Sequence, residues 1–176
     1  MTIREAVPGD AEELVAYIHR LDSEPDSMIP RGPGEFLVTV EQERALLTEY
    51  AASDNAVYLV AEADGHVVGC LSCTGGKRRA TRHNADFGMS VAPEWRNKGI
   101  GMALLSRLVA WAEGTGILRR LELEVYAHNA PALHLYRKFG FIEEGRRQRG
   151  YFQSGRFIDG ILMARLLPPE PDEPVG

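Results

Sequence analysis

Residues 121–126 read Leu-Glu-Leu-Glu-Val-Tyr, a strict alternation that puts Leu121, Leu123 and Val125 on one face of a strand and Glu122, Glu124 and Tyr126 on the other. The stretch before it has a different period. From Gly99 onward Ile100, Leu104, Leu108 and Trp111 recur at three- and four-residue spacings, which predicts a helix over about 98–113, stopped by Gly114 and Gly116. Residues 86–91 predict the strand that feeds this helix, and Pro93 ends it. A strand-helix-strand unit of this kind needs parallel strands and a right-handed crossover.

The flanking segments extend the pattern. Residues 3–6 predict a short first strand, and Asp10 with Glu13 has capping-box spacing ahead of a helix with Leu14, Val15 and Ile18 as its buried stripe, ending near Leu21. Thr39 and Gln42 repeat that spacing before a second helix, with Ala45, Leu46, Glu49 and Tyr50 as its pattern and an end near Ala52. Residues 56–63 and 66–74 are strands joined by Asp64-Gly65, a two-residue hairpin signal. Asn129 caps a short helix that starts beside Pro131 and ends at Gly140. Residues 141–145 and 157–166 close as an antiparallel pair joined through 146–155. The class is therefore α/β, an α+β mixed sheet of about seven strands with about four helices and parallel pairing expected near Val91 and Val125.

Length and composition narrow the function. A chain of 176 residues is read as one domain over 1–167, large enough to bury about 70% of its unfolded surface. The last nine positions, 168–176, hold four prolines and three acids and predict a disordered tail. Lys plus Arg number 20 against 25 Asp plus Glu, a net charge of −5, which argues against general nucleic-acid binding. No apolar run approaches the roughly 20 residues of a membrane span, and the N-terminus lacks a signal-peptide layout, so a soluble cytoplasmic protein is expected. Cys70 and Cys73 have C-x-x-C spacing, but inside a strand they face opposite sides; packing is expected of them, and neither metal nor redox use.

The junction between strand and helix carries the chemistry. Arg96-Asn97-Lys98-Gly99-Ile100-Gly101 places two cations and two glycines at a helix start, where unpaired N–H groups already make a partial positive charge. Cations there call for an anion, and bare glycines let a phosphate approach the amides. The turn is neither Gly-x-Gly-x-x-Gly nor a Walker loop. About thirty residues on comes Asn129-Ala-Pro-Ala-Leu-His-Leu-Tyr136-Arg-Lys-Phe-Gly140-Phe141. Together the two stretches resemble the GNAT superfamily of acetyl-CoA-dependent N-acyltransferases, in order, spacing and element type, and the resemblance covers roughly residues 2–167.

The resemblance implies that the parallel strands splay apart and admit acetyl-CoA. The amides of Asn97, Gly99, Ile100, Gly101 and Met102 then receive the pyrophosphate, with Arg96 and Lys98 adding charge, while Met89 and Val91 pair their backbone with the pantetheine arm. Ala132 lies in the second stretch beside it. Asn129 matches a pantetheine-contacting residue, a role compatible with capping, and Tyr136 occupies the position of the general acid that protonates the departing thiolate. Asp86 and Glu124, on the strands that flank the gap, are candidates for the base, though a backbone carbonyl and water serve in many relatives. The loop between the first two helices lines the acceptor pocket in such families. Glu24, Asp26 and Glu35 would there attract a cationic amine, with Met28, Ile29 and Phe36 as apolar wall, or else form a solvated loop.

The expected activity is N-acetyl transfer to a small amine, an amino acid or a peptide N-terminus, in a ternary complex. Alternatives are a non-catalytic acyl-CoA sensor, and a protein-modifying enzyme that docks through the basic turn at 77–82. That turn, with Lys77, Arg78, Arg79 and Arg82, is either a solvated hairpin tip or a contact for the acidic end of the nucleotide or an anionic substrate. A homodimer through the closing strands is common among lookalikes.

Overall fold

In the computed structural model, which describes residues 1–24, 28–31 and 34–168, seven strands form one sheet. They are β1 (Thr2–Glu5), β2 (Ala56–Ala63), β3 (His66–Gly75), β4 (Asn84–Val91), β5 (Arg120–Tyr126), β6 (Ile142–Gln153) and β7 (Arg156–Leu166). Their order is β1-β2-β3-β4-β5-β7-β6, antiparallel throughout except for β4 and β5. The helices are α1 (Ala11–Asp22), α2 (Val40–Ala51), α3 (Ile100–Gly114) and α4 (Ala130–Lys138).

Each face of the sheet has its own core. Ile100, Leu104, Leu105 and Leu108 of α3 and Leu133 and Tyr136 of α4 cover one face, against Leu71, Phe87, Leu121 and Leu123. Leu14, Tyr17 and Leu21 of α1 and Leu47 of α2 cover the other, against Tyr58, Val60 and Cys70. Fully burying a leucine is worth about 1.5–3 kcal/mol, so α3, apolar nearly all round, is fixed firmly to the sheet. Cys73 belongs to the first core and Cys70 to the second, and both are buried free thiols on opposite faces, as their spacing requires.

Several local expectations are corrected. Asp10 does not cap α1: its carboxylate receives Arg4 at 2.8 and 2.9 Å and the Val7 N–H at 2.8 Å, while Glu13 reaches across to the Val67 N–H at 2.7 Å. The inward positions of α2 are Glu43 and Leu47, with Tyr50 partly buried, whereas Leu46 is exposed. An acid in the inward row disguised the helical period. Strand β6 runs on to Gln153, through residues expected to be connection. A register shift between Arg147 and Tyr151 breaks its alternation, and the turn is only Ser154-Gly155, with φ of 51° and 74°. The Thr39–Gln42 capping box forms in both directions, at 2.9 and 3.2 Å. The expected disordered tail lies, from residue 169 on, outside the described residues.

Candidate active site

Strands β4 and β5 pair only at Asn84↔Arg120, Ala85↔Leu121 and Asp86↔Glu122. Pairing near Val91 and Val125 is thus corrected: those residues lie on the diverging ends. Beyond Asp86, β4 keeps its register with β3, and β5 keeps its register with β7. Ala92 N–H donates to Val68 O and Gly76 N–H to Asn84 O, both at 2.9 Å, so the even positions of β4 bond to β3. The main chain of Phe87, Met89 and Val91 is therefore turned toward β5, past the point where the ladder ends. By the same parity Glu124 and Tyr126 turn their main chain toward β4 from the other side. Along this wedge the two strands are no longer each other's ladder partners.

The head of α3 stands at the open end of β4. Asn97 and Gly99 both take left-handed φ, 59° and 83°, and glycine at 99 suits that conformation. The Ala103 N–H bonds to Gly99 O at 3.0 Å, so the amides of Ile100, Gly101 and Met102 precede the first intrahelical bond and face the turn. Gly101 has a packing reason as well: a Cβ there would come within 3.3 Å of Leu135 Cδ2 and 3.6 Å of Met89 Cε. Of the two cations, Lys98 lies over the Trp95 ring at 4.7 Å, and Arg96 is held by Glu24 at 2.5 and 2.6 Å. Part of the negative charge this turn calls for thus comes from the chain itself.

Tyr136 of α4 lies in the core on the α3 side of the sheet. It is buried among Phe87 and Phe141, with ring centroids 5.9 Å from each, and its hydroxyl has no hydrogen-bond partner among the described residues. Burial pushes the phenol up to about 12. Asn129 Oδ1 accepts the Ala132 N–H at 3.2 Å, the capping bond expected of it.

On the opposite face, Asp86, Glu122 and Glu124 line the end of the parallel pairing. Burial, then Glu122 and Glu124, pushes the Asp86 carboxyl up from its ordinary value. Glu122 is tied to Asn84 at 3.0 Å and Arg120 at 2.9 Å. Glu124 Oε2 receives Arg147 at 2.8 Å, and its Oε1 is buried over Gly160. Tyr126 and Tyr151 meet edge-on at 4.9 Å beside it, and the Tyr126 hydroxyl donates to Gln153 Oε1 at 2.8 Å. Arg147 gives no local sign of this partner: β6 shifts register between Glu143 and Gly145, which sets Arg147 opposite Gly160 and beside Glu124. Nor was the Tyr17–Ser90 contact, 3.1 Å between oxygens seventy-three residues apart. Neither has a local signal in the sequence.

The other predicted residues divide. Ile29 packs on the second core with its carbonyl 3.4 Å from the Tyr126 hydroxyl oxygen, whose one proton goes to Gln153, while Phe36 is buried against His19 and Arg31. Met28 is largely exposed, and Asp26 lies outside the described residues. The basic turn at 77–82 joins β3 to the start of β4, about 25 Å of strand from the head of α3. Arg82 pairs with Asp54 there. Among the described residues no helix is long and apolar enough to cross a membrane, and no group of His, Cys, Asp and Glu could hold a metal ion.

The family described as "Acetyltransferase (GNAT) family" matches residues 16–141. The L-amino acid N-acetyltransferase AaaT of Escherichia coli is 37% identical over 108 residues, 61% of this chain and 67% of that protein. The phosphinothricin N-acetyltransferase of Alcaligenes faecalis is 37% identical over 62% of this chain and 56% of its own, and the spermidine N(1)-acetyltransferase of Vibrio cholerae 30% identical over 60% and 61%. Among solved structures, a GNAT-family acetyltransferase from Streptococcus pneumoniae superposes with a TM-score of 0.91 at 38% identity, covering 95% of this chain and 99% of that one. With the wedge between β4 and β5 and the bare amides of α3 in place, these matches show that the chain belongs to the acetyltransferase (GNAT) family and is an acetyl-CoA-dependent N-acetyltransferase.

Proposed function

We propose that the chain acetylates a primary amine, on a small molecule, an amino acid or a peptide N-terminus, by direct attack on the acetyl-CoA thioester with both substrates bound. The observation that carries this reading is the main chain of Phe87, Met89 and Val91, turned toward a strand that has stopped pairing with it. An amide-bearing pantetheine arm completes such an edge as a strand would, and the amides of Ile100, Gly101 and Met102 lie where its pyrophosphate ends.

The amine and the sulfur pose opposite proton problems. An alkylamine of pKa near 10.4 is neutral in about one molecule in 2,500 at pH 7, a handicap of roughly 4.6 kcal/mol. Asp86 suits the base better than Glu124, because its carboxyl is pushed up whereas Glu124 is held by Arg147. Asp86, directly or through water, takes a proton from the ammonium; the nitrogen lone pair bonds to the thioester carbon, the nitrogen gives its second proton to water, and the C–S bond breaks. Tyr136 gives its hydroxyl proton to the departing sulfur and recovers one from solvent. A phenol near 12 keeps its proton at neutral pH, and the burial that raises it also penalises a thiolate, so the departing sulfur needs a proton more than it would in water.

The acceptors named for the relatives define the test. Thiol release from acetyl-CoA is followed with L-amino acids, phosphinothricin, spermidine and a peptide with N-terminal alanine, and products are weighed by mass spectrometry. Acetylated product from at least one class is expected. Coenzyme A binding without product from any of them would contradict the catalytic reading and favour an acyl-CoA sensor.

A further inference from the structure

Arg96 bridges the end of β4 and Glu24, just past the end of α1. Its Nε donates to Val91 O at 3.1 Å, and its two terminal nitrogens donate to the two oxygens of Glu24 at 2.5 and 2.6 Å. Val91 is the last residue of β4 and lies on the wedge. Glu24 follows the end of α1, where its own N–H bonds to Leu21 O at 3.1 Å.

The guanidinium is thus committed in two directions, and its fork matches a carboxylate held side-on. Glu24 is the more buried partner, with 19% of its side chain exposed against 41% for Arg96, so the pair is not a freely solvated surface contact. Two other contacts hold the same region: Asp22 binds Arg31 at 2.9–3.1 Å, and Ile29 O lies 3.4 Å from the Tyr126 hydroxyl oxygen, whose proton goes to Gln153. Asp22–Arg31 links α1 to the segment after it, and Tyr126 links that segment to β5. The Arg96–Glu24 pair is the tie to β4. Val91, with its carbonyl on Arg96, offers the wedge chiefly its N–H.

We infer that Arg96 is a positioning residue for the acceptor: it clasps Glu24 to the carbonyl of Val91 and so sets the acceptor-side segment against the thioester strand, leaving the pyrophosphate to the main-chain amides of α3. This rests on the functional reading above. It departs from the expectation that the Arg96 side chain adds charge at the phosphates.

The test compares Arg96→Gln, Glu24→Gln and the double variant with the parent chain. Coenzyme A affinity is read by calorimetry, and acceptor KM and kcat with the best acceptor of the panel. Each single variant is expected to raise acceptor KM about ten-fold while kcat and coenzyme A Kd stay within about two-fold, and the double variant is no worse than the worse single one. Amide exchange at Glu24 and Arg31, followed by NMR, reads the same tie without an acceptor and is expected to quicken in both single variants. A ten-fold loss of coenzyme A affinity in Arg96→Gln but not in Glu24→Gln would make Arg96 a phosphate ligand and overturn the clasp. Unchanged exchange and unchanged acceptor KM in Glu24→Gln would overturn it too. Failure of the parent chain to bind coenzyme A would instead strike the functional reading.

Discussion

Asp86 stands opposite Glu122 on the last rung between β4 and β5, so the two carboxylates share one face at the point where the strands part. Like charges so placed disfavour ionisation, and Asp86, with burial as the larger cause, carries the upward shift. A raised carboxyl keeps its proton to higher pH. Its base form is therefore lost as pH falls through the raised value, and the acid limb of kcat/KM is expected above the ordinary aspartate range near 3.9. In Asp86→Asn, kcat/KM is expected to fall about ten- to hundred-fold and that limb to vanish. A pH–rate profile of the two proteins checks this.

The same shift makes a stability prediction of definite sign. A group whose folded pKa is raised favours the fold below its unfolded pKa and loses that favour as pH rises through the folded value. Asp86→Asn is therefore expected to raise Tm at pH 7, with the gain fading as pH falls toward 4. Melting curves at several pH values measure it, and a gain that grows on acidification would contradict the assignment.

Tyr136→Phe keeps the ring packing on Phe87 and Phe141 and removes only the hydroxyl. The expected result is a kcat about ten- to thousand-fold lower with coenzyme A Kd within about two-fold. Stability should change little, because the hydroxyl has no bond to lose among the described residues. Steady-state kinetics beside calorimetry separates the two effects.

Gly160 of β7 is the register partner of Tyr126 in β5, and a Cβ there would stand 1.9 Å from Glu124 Oε1. Gly160→Ala must push the carboxylate aside and break its bond to Arg147, at a cost of about 1–3 kcal/mol. Chemical denaturation checks the loss. An alanine variant as stable as the parent would mean that Glu124 does not lie over this glycine.

How much of this was legible beforehand depends on the range of the interaction. Leu121, Leu123 and Val125 declared their face because strand alternation is local, and Thr39–Gln42 declared its cap because both partners lie in one turn. Asp10 and Glu13 carried the same spacing yet were drawn off by Arg4 and by the Val67 N–H, a partner fifty-four residues from Glu13. The inward row of α2 hides its helical period because Glu43, an acid, occupies a buried position. Arg96 showed its charge but not its destination: Glu24 lies seventy-two residues away, and only the folded sheet brings the two together.

The two cysteines offer a check on the sheet itself. Both thiols are buried, and burial pushes Cys73 up to about 12 and Cys70 upward as well. Neither is expected to react with a water-soluble disulfide reagent in the native protein at pH 8, and both should react once denaturant is added. Rapid native labelling of either would contradict their placement on opposite buried faces.

The wedge and the helix head are tested together by an amide-resolved NMR titration with acetyl-CoA. The largest shifts are expected at Phe87, Met89, Val91 and Glu124 along the wedge and at Ile100, Gly101 and Met102 at the head of α3. Shifts confined to the basic turn at 77–82, or none at all at saturating acetyl-CoA, would contradict it.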